Sequence, residues 1–371
     1  MYLLERLLGI SLYSTVLFLI ILCIYRTKKI GRILEVYAII LSVMAFFYKP
    51  AETADLFRIY EAMEYFSDMS WDSFYNNLLI TSTPAYLIYI RIIGKIGIKE
   101  LLPAITAFLY YINVFYILKK SSQKYGINNK LVALVLFFFM TFGQFLQVIS
   151  GIRSMLAFSI VTRCMYEEII ENKNFVFNLL KYIFAFCLHP VGVVSFVIRI
   201  FYEIFFLKAK KYSQLIRKFI VLLIVSVIGI KIAIPYILGM IHTIKIYLEP
   251  GGYSYIWEYI LAVFHLILII YSLYKYKYYL RKNRKINSLV KLIKFLITVV
   301  CLLFFEYSTF QRFTVFVSGL FLPVFVYILS IVQQDILKNK NYIKTMICGS
   351  VLILLLACLR GNLSAYKFFI L

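Results

Sequence analysis

Apolar runs of about twenty residues follow one another along the chain, separated by short loops rich in Lys and Arg. Few folds accept that alternation. A chain that is 63% hydrophobic, with a mean hydropathy of +0.87, has too little polar surface to cover itself in water. It reads as an all-α polytopic integral membrane protein, one domain over residues 1–371, with about 12 transmembrane helices.

The basic loops fix the expected orientation, because Lys and Arg concentrate on the cytoplasmic side of membrane proteins. Arg26, Lys28, Lys29 and Arg32 follow a first span at about Leu7–Tyr25, which lacks the basic n-region and cleavage site of a signal peptide. Further basic loops lie at Lys119–Lys130, Lys208–Lys218, Lys275–Lys285 and Lys338–Lys344. Spans are expected at about Ile33–Tyr48, Leu101–Leu118, Leu131–Ile149, Ile152–Ile170, Phe219–Met240, Tyr255–Tyr274, Leu292–Tyr307, Phe310–Val332 and Thr345–Leu359. Phe175–Leu207 is too long for one span, and His189-Pro190 should fold it into a hairpin with an external tip. An acidic external loop is expected at about residues 49–83, suited to the headgroup level through Trp71 and its tyrosines. Thr83–Gly97 is short and interrupted by Arg91, Gly94 and Lys95; charge bookkeeping makes it a re-entrant or tilted helix that does not cross.

The net charge of +23 sits in these short loops, so it is read as membrane topology and not as a nucleic-acid surface. The six cysteines are scattered through apolar stretches, with neither disulfide nor metal-ligand spacing. The three histidines are scattered as well, and no metal and no cofactor is expected. There is no P-loop and no Gly-rich dinucleotide fingerprint.

Against this background Gln147–Phe158 stands out. Two apolar helices meet at Ser150-Gly151, and the second opens with Arg153, which has no charged residue within eight positions. An isolated Arg in a membrane helix costs free energy, about 2.5–3.5 kcal/mol at the bilayer centre, and a chain that keeps one commonly has an anion for it. The expected topology puts Asp55, Arg58, Arg153, His189 and Arg312 on the same external face. Two arginines suit a phosphate or pyrophosphate, since guanidinium is planar, always charged and matched to phosphate oxygens. A nearby His can take a proton from a hydroxyl, and Asp55 can orient it or bind sugar hydroxyls. The plainer alternatives are snorkelling for the two arginines and a structural hydrogen bond for His189. His265 reads as structural. Arg163 with Glu167, and Arg199 with Glu203, read as i,i+4 pairs outside the site.

The order of these elements resembles the EpsG-like and Wzy polymerases of bacterial exopolysaccharide, capsule and O-antigen synthesis. The similarity rests on Asp55-x-x-x-x-Tyr60, the helix led by Pro84-Ala85-Tyr86, Arg153-x-x-x-Ala157, the His189-Pro190 break, and Arg312 with Pro323 following. Pro50, Ala51 and Thr83 depart from residues common in that family. The resemblance implies a glycosyltransferase at the outer face of the bacterial inner membrane, joining undecaprenyl-pyrophosphate-linked oligosaccharide repeats. It needs neither nucleotide nor metal, and it works beside the bilayer, with a chain-length-regulating co-polymerase as a further partner. Arg153 and Arg312 would then clamp pyrophosphate, His189 would be the base for the acceptor hydroxyl, and Asp55, Arg58 and Tyr60 would position sugar or base. A flippase for lipid-linked oligosaccharides and a membrane acyltransferase are the alternatives.

Overall fold

The computed structural model describes residues 2–27, 29–50, 55–142, 144–206, 256–304 and 307–359. These are helical, with no β-strand among them. The helices are α1 Tyr2–Arg26, α2 Ile30–Phe46, α3 Asp55–Asp68, α4 Trp71–Ile80, α5 Pro84–Ile96, α6 Leu101–Tyr125, α7 Asn129–Met140, α8 Gln144–Ser150, α9 Ile152–Ile169, α10 Phe175–Leu188, α11 Pro190–Phe206, α12 Ile256–Lys275, α13 Lys277–Lys282, α14 Arg284–Leu302, α15 Tyr307–Gln334 and α16 Lys340–Leu359. The expected span Phe219–Met240 and the loop after it lie outside the described residues. Two of the described helices, Leu101–Tyr125 and Thr309–Gln334, are both long and apolar enough to cross a bilayer unaided.

Local chemistry sets the boundaries. The side chains of Asn128, Asn174 and Asn283 cap α7, α10 and α14 by accepting from backbone N–H groups two or three residues on. Gly97 and Gly126 close α5 and α6 in the left-handed region, at φ 79° and 63°, where a side chain would be strained. Pro84 and Pro190 open α5 and α11, where a missing N–H costs nothing.

α9 lies at the centre. Against α6, Asn113 Nδ2 donates to Ser159 Oγ (3.1 Å) and Arg163 Nη1 to Asn113 Oδ1 (3.1 Å). Against α15, the Phe158 ring stacks on Phe316 at 4.8 Å, and a Cβ on Gly319 would stand 3.2 Å from Thr162 Cγ2. Both contacts advance in the same sense along α9 and α15, so these helices run parallel and their N-termini open at the same end. α10 returns antiparallel, with Lys181 Nζ 2.8 Å from Glu167 Oε2.

The described basic loops gather at the other end; Lys208–Lys218 lies outside the described residues. Lys124 Nζ and Lys285 Nζ both donate to Ile170 O, at 2.6 and 3.0 Å. Asn129 Nδ2 donates to Thr27 O, and Gln333 bonds to Gly126 and Asn128. Glu167, 2% exposed at its side chain, holds Arg163, Lys173 and Lys181. The expected Arg163–Glu167 pair is therefore present at 3.2 Å, inside a larger cluster. Arg199 reaches Glu168 of α9 at 3.1 Å, a partner that spacing along one helix does not reveal.

Two sequence expectations need correction. Residues 49–83 are not a plain loop, because α3 and α4 occupy most of them. Leu56, Ile59, Tyr60 and Met63 are buried while Asp55, Arg58, Glu61 and Glu64 face outward, a helical period that polar content obscured. Arg91 of α5, 3% exposed, donates to Phe66 O (3.2 Å) and Met69 O (2.9 Å), and its guanidinium lies 4.2 Å from the rings of Trp71 and Phe74. Arg91, which interrupts the apolar run in sequence, fastens α3 and α4 to α5. The run Leu131–Ile149 is also not one helix. α7 stops at Met140, Thr141 Oγ1 turns back to Phe138 O (3.1 Å), and the chain restarts as α8.

Candidate functional site

α9 begins where α8 ends. Gly151 N–H closes on Gln147 O at 2.7 Å, and Met155 N–H makes the first bond of α9 to Gly151 O at 2.9 Å. The amides of Ile152, Arg153 and Ser154 therefore have no acceptor within the helix. The N-cap is a glycine without a side-chain acceptor, and the first turn has no acidic residue. A Cβ at Gly151 would stand 2.9 Å from Gln147 O, so only glycine fits this corner without displacement. The positive end of the helix dipole and the Arg153 charge thus act in the same place.

His189 arrives from α10. It sits in extended backbone (φ −161°, ψ 141°) before Pro190, whose ring excludes helical geometry from its predecessor. A Cβ at Gly192 would lie 2.5 Å from Ala185 O, so the absence of a side chain there lets α11 pack against the end of α10. Asp55 opens α3, and Arg312 lies near the start of α15.

These residues meet in one cavity of about 310 Å³, lined by Asp55, Arg58, Ile59, Ala62, Tyr86, Ser150 to Ser154, His189 and Arg312. Asp55 links two guanidiniums, with Oδ1 3.4 Å from Arg58 Nη2 and Oδ2 3.6 Å from Arg312 Nη2. Arg153 rests on the Tyr86 ring, 4.6 Å from its centroid, which leaves the edge of the fork open. Asp55 is the sole carboxylate among the described lining residues.

His189 lies between helices, at the hairpin tip. Burial, then the charges of Arg153 and Arg312, push its pKa from the ordinary 6.5 down to about 3. The ring is neutral at physiological pH. Its Nδ1 accepts the N–H of Val191 at 3.1 Å. A nitrogen that accepts carries no proton, so the neutral ring holds its hydrogen on Nε2 and presents a donor there.

Of the sequence candidates, the structure brings Asp55, Arg58, Arg153, His189 and Arg312 together. It does not bring Tyr60, which is 5% exposed, faces Lys99 at 5.4 Å from its ring, and is absent from the cavity wall. Tyr86 is the lining residue that sequence reasoning passed over as a site, although its place two residues after Pro84 marked it. His265 is enclosed between Phe138 and Phe142, with ring centroids 4.5 and 4.4 Å away, and takes no part in the cavity. No cluster of His, Cys, Asp or Glu among the described residues has metal-ligand geometry.

A helical membrane protein with a cationic, donor-rich cavity at one end of its bundle is the class that fold and site define. The chain belongs to the EpsG family, whose model matches residues 39–370, nearly its whole length. EpsG is a Wzy-like polymerase family, so this is a polysaccharide-polymerase-like membrane protein with a glycosyltransferase-like activity. No curated protein and no solved structure matches the chain.

Proposed function

We propose that the protein is a Wzy-type polymerase of the bacterial inner membrane, with about 12 spans, that joins undecaprenyl-pyrophosphate-linked oligosaccharide repeats at the outer face. The observation that carries this reading is the convergence of Arg153, Arg312 and the α9 N-terminus on one cavity, at the end away from the basic loops. A lipid pyrophosphate is multiply anionic and already lies at the membrane surface. Forked guanidiniums and free amides match its oxygens and stabilise the charge that grows as it leaves. In the transfer, an acceptor hydroxyl attacks the anomeric carbon of the donor sugar. The bond from that carbon to the pyrophosphate oxygen breaks, and its electron pair leaves with the pyrophosphate.

The geometry redistributes the proton roles expected from sequence. With hydrogen on Nε2, His189 donates to a pyrophosphate or sugar oxygen. The hydroxyl proton goes to the Asp55 carboxylate, which Arg58 and Arg312 hold at the cavity rim. Lipid-linked glycans and the bilayer are the partners, together with a chain-length-regulating co-polymerase. Nucleic acid, nucleotide and metal have no role in this scheme.

A flippase remains the alternative. It calls for charges along a path through the bilayer depth, whereas this cavity lies at one end, which favours the transferase. The test is surface glycan from cells lacking the gene, complemented with wild type or Arg153→Ala. Single repeats on the outer face, extended to a ladder by wild type alone, are expected. Repeats trapped inside the cell would replace the polymerase with the flippase.

A further inference from the structure

A second cavity lies at the other end, among the described basic loops. It measures about 550 Å³ and is lined by Lys29, Ile30, Gly31, Arg32, Lys119, Ser122, Gln123, Gly126 and Ile127. α2 begins there. Its N-cap, Lys29, makes no side-chain cap bond, and its first turn carries no acidic residue. Ile33 N–H closes the first helical bond, to Lys29 O, so the amides of Ile30, Gly31 and Arg32 have no acceptor within the helix. Lys119 crosses this helix start. A Cβ on Gly31 would lie 2.6 Å from Lys119 Cε, so glycine there leaves room for the lysine.

The hydrogen-bonding balance of the cavity is lopsided. Three acceptors at or beside it are taken: Ser122 O by Gly126 N–H, Gly126 O by Gln333 Nε2, and nearby Glu35 by Lys119 Nζ at 3.0 Å. Its donors are not. Among the described residues, Lys29 and Arg32 form no ion pair, and Ser122, 6% exposed, has a buried hydroxyl without a partner. No carboxylate is among the described residues of the wall. Donors and positive charge left over around a water-sized or larger space call for an oxygen-rich anion. At the level of the basic loops, the abundant anion of that kind is the phosphate of an acidic phospholipid.

We infer that this cavity is a second anion site, which binds a phosphate group through Arg32, Lys29, Ser122 and the α2 N-terminus, and that the phosphate belongs to an anionic lipid headgroup. The site is separate from the Arg153 cavity. Lipid held there ties α2 to α6 at the end where the loops meet, and requires no role in sugar transfer.

The test uses the full chain in detergent, with short-chain phosphatidylglycerol, short-chain phosphatidylcholine and inorganic phosphate as probes, read by native mass spectrometry. Two variants are compared with wild type: Arg32→Gln, which removes the fork, and Gly31→Leu, which fills the space without changing charge or the topology signal. Wild type should hold phosphatidylglycerol in preference to phosphatidylcholine, and each variant should lose about tenfold in affinity while keeping its melting temperature and its polymer ladder. Phosphate binding that is lost in the same two variants supports the site and identifies free phosphate as the source. Equal retention of both lipids, or affinity unchanged in both variants, would overturn it.

Discussion

Arg312 of α15 and Asp55 of α3 face each other across the cavity, Nη2 to Oδ2 at 3.6 Å, although most of the sequence separates them. The pair is partly exposed, with side chains 29% and 52% accessible, so it is a weak tie in itself. What it does is hold a carboxylate beside a guanidinium at the mouth of a cationic pocket, where an arriving anion can take over the arginine.

That arrangement makes the forks testable. Arg153→Lys and Arg312→Lys keep the charge and lose the bidentate geometry. Each should cost about 1.5–3 kcal/mol of transition-state binding, or roughly ten- to a hundredfold in transfer rate. Transfer measured in proteoliposomes with lipid-linked repeats checks this. Full activity in both Lys variants, at equal protein level, would exclude a forked clamp.

His189 gives a discriminating pair of variants. His189→Gln places an amide donor near the position of Nε2 and should retain measurable transfer, whereas His189→Ala should lose it. If His189 were instead the base, Gln would be as inactive as Ala, and wild type would show a pH-rate limb that the Gln variant lacks.

The same residue predicts an acid dependence of stability. Its folded pKa, about 3, lies below the ordinary 6.5. Between those values the unfolded chain binds a proton that the folded chain does not. The contribution is therefore complete above about pH 6.5 and is lost as pH falls toward 3. His189→Gln cannot take up that proton, so the wild-type melting temperature should fall relative to that of His189→Gln as the pH drops through that window.

Gly192→Ala should push α11 away from the Ala185 carbonyl, since the new Cβ starts 2.5 Å from it. A loss of about 1–3 kcal/mol in stability is expected, along with reduced transfer, because His189 sits at that junction. An unchanged melting temperature would mean that the helices separate without cost.

Arg91→Leu should leave the carbonyls of Phe66 and Met69 without their charged donor and free α3 from α5. The expected loss is about 2–4 kcal/mol. Transfer should fall with it, because α3 carries Asp55. Proteolysis within residues 55–80 of the purified variant is the direct measurement.

Much of this was legible beforehand. The His189-Pro190 break follows from the steric reach of the proline ring, and the Ser150-Gly151 corner from the lone Arg153 behind it. The helical period of Leu56, Ile59, Tyr60 and Met63 is equally present in the sequence, but the surrounding carboxylates make the segment polar enough to fit a solvated loop as well. The division of Leu131–Ile149 was hidden because apolar content does not distinguish one helix from two. Tyr60 was misplaced for a related reason: a motif gives spacing but not the face of the helix.

The sequence by itself determined most of the apolar helices, the His189-Pro190 break and the Ser150-Gly151 corner, and the sorting of Lys and Arg into loops, because each of these depends on neighbours within a turn or two. Only the tertiary structure decided that α9 and α15 pack against each other through Phe158 and Phe316, that Arg199 pairs with Glu168, that Arg91 fastens α3 to α5, and that Asp55 meets Arg312. These relationships depend on which helix faces pack, and packing joins residues that no local pattern connects. The proton on His189 belongs to the same category, because it is placed by a backbone N–H that reaches Nδ1 only once the helix break has formed.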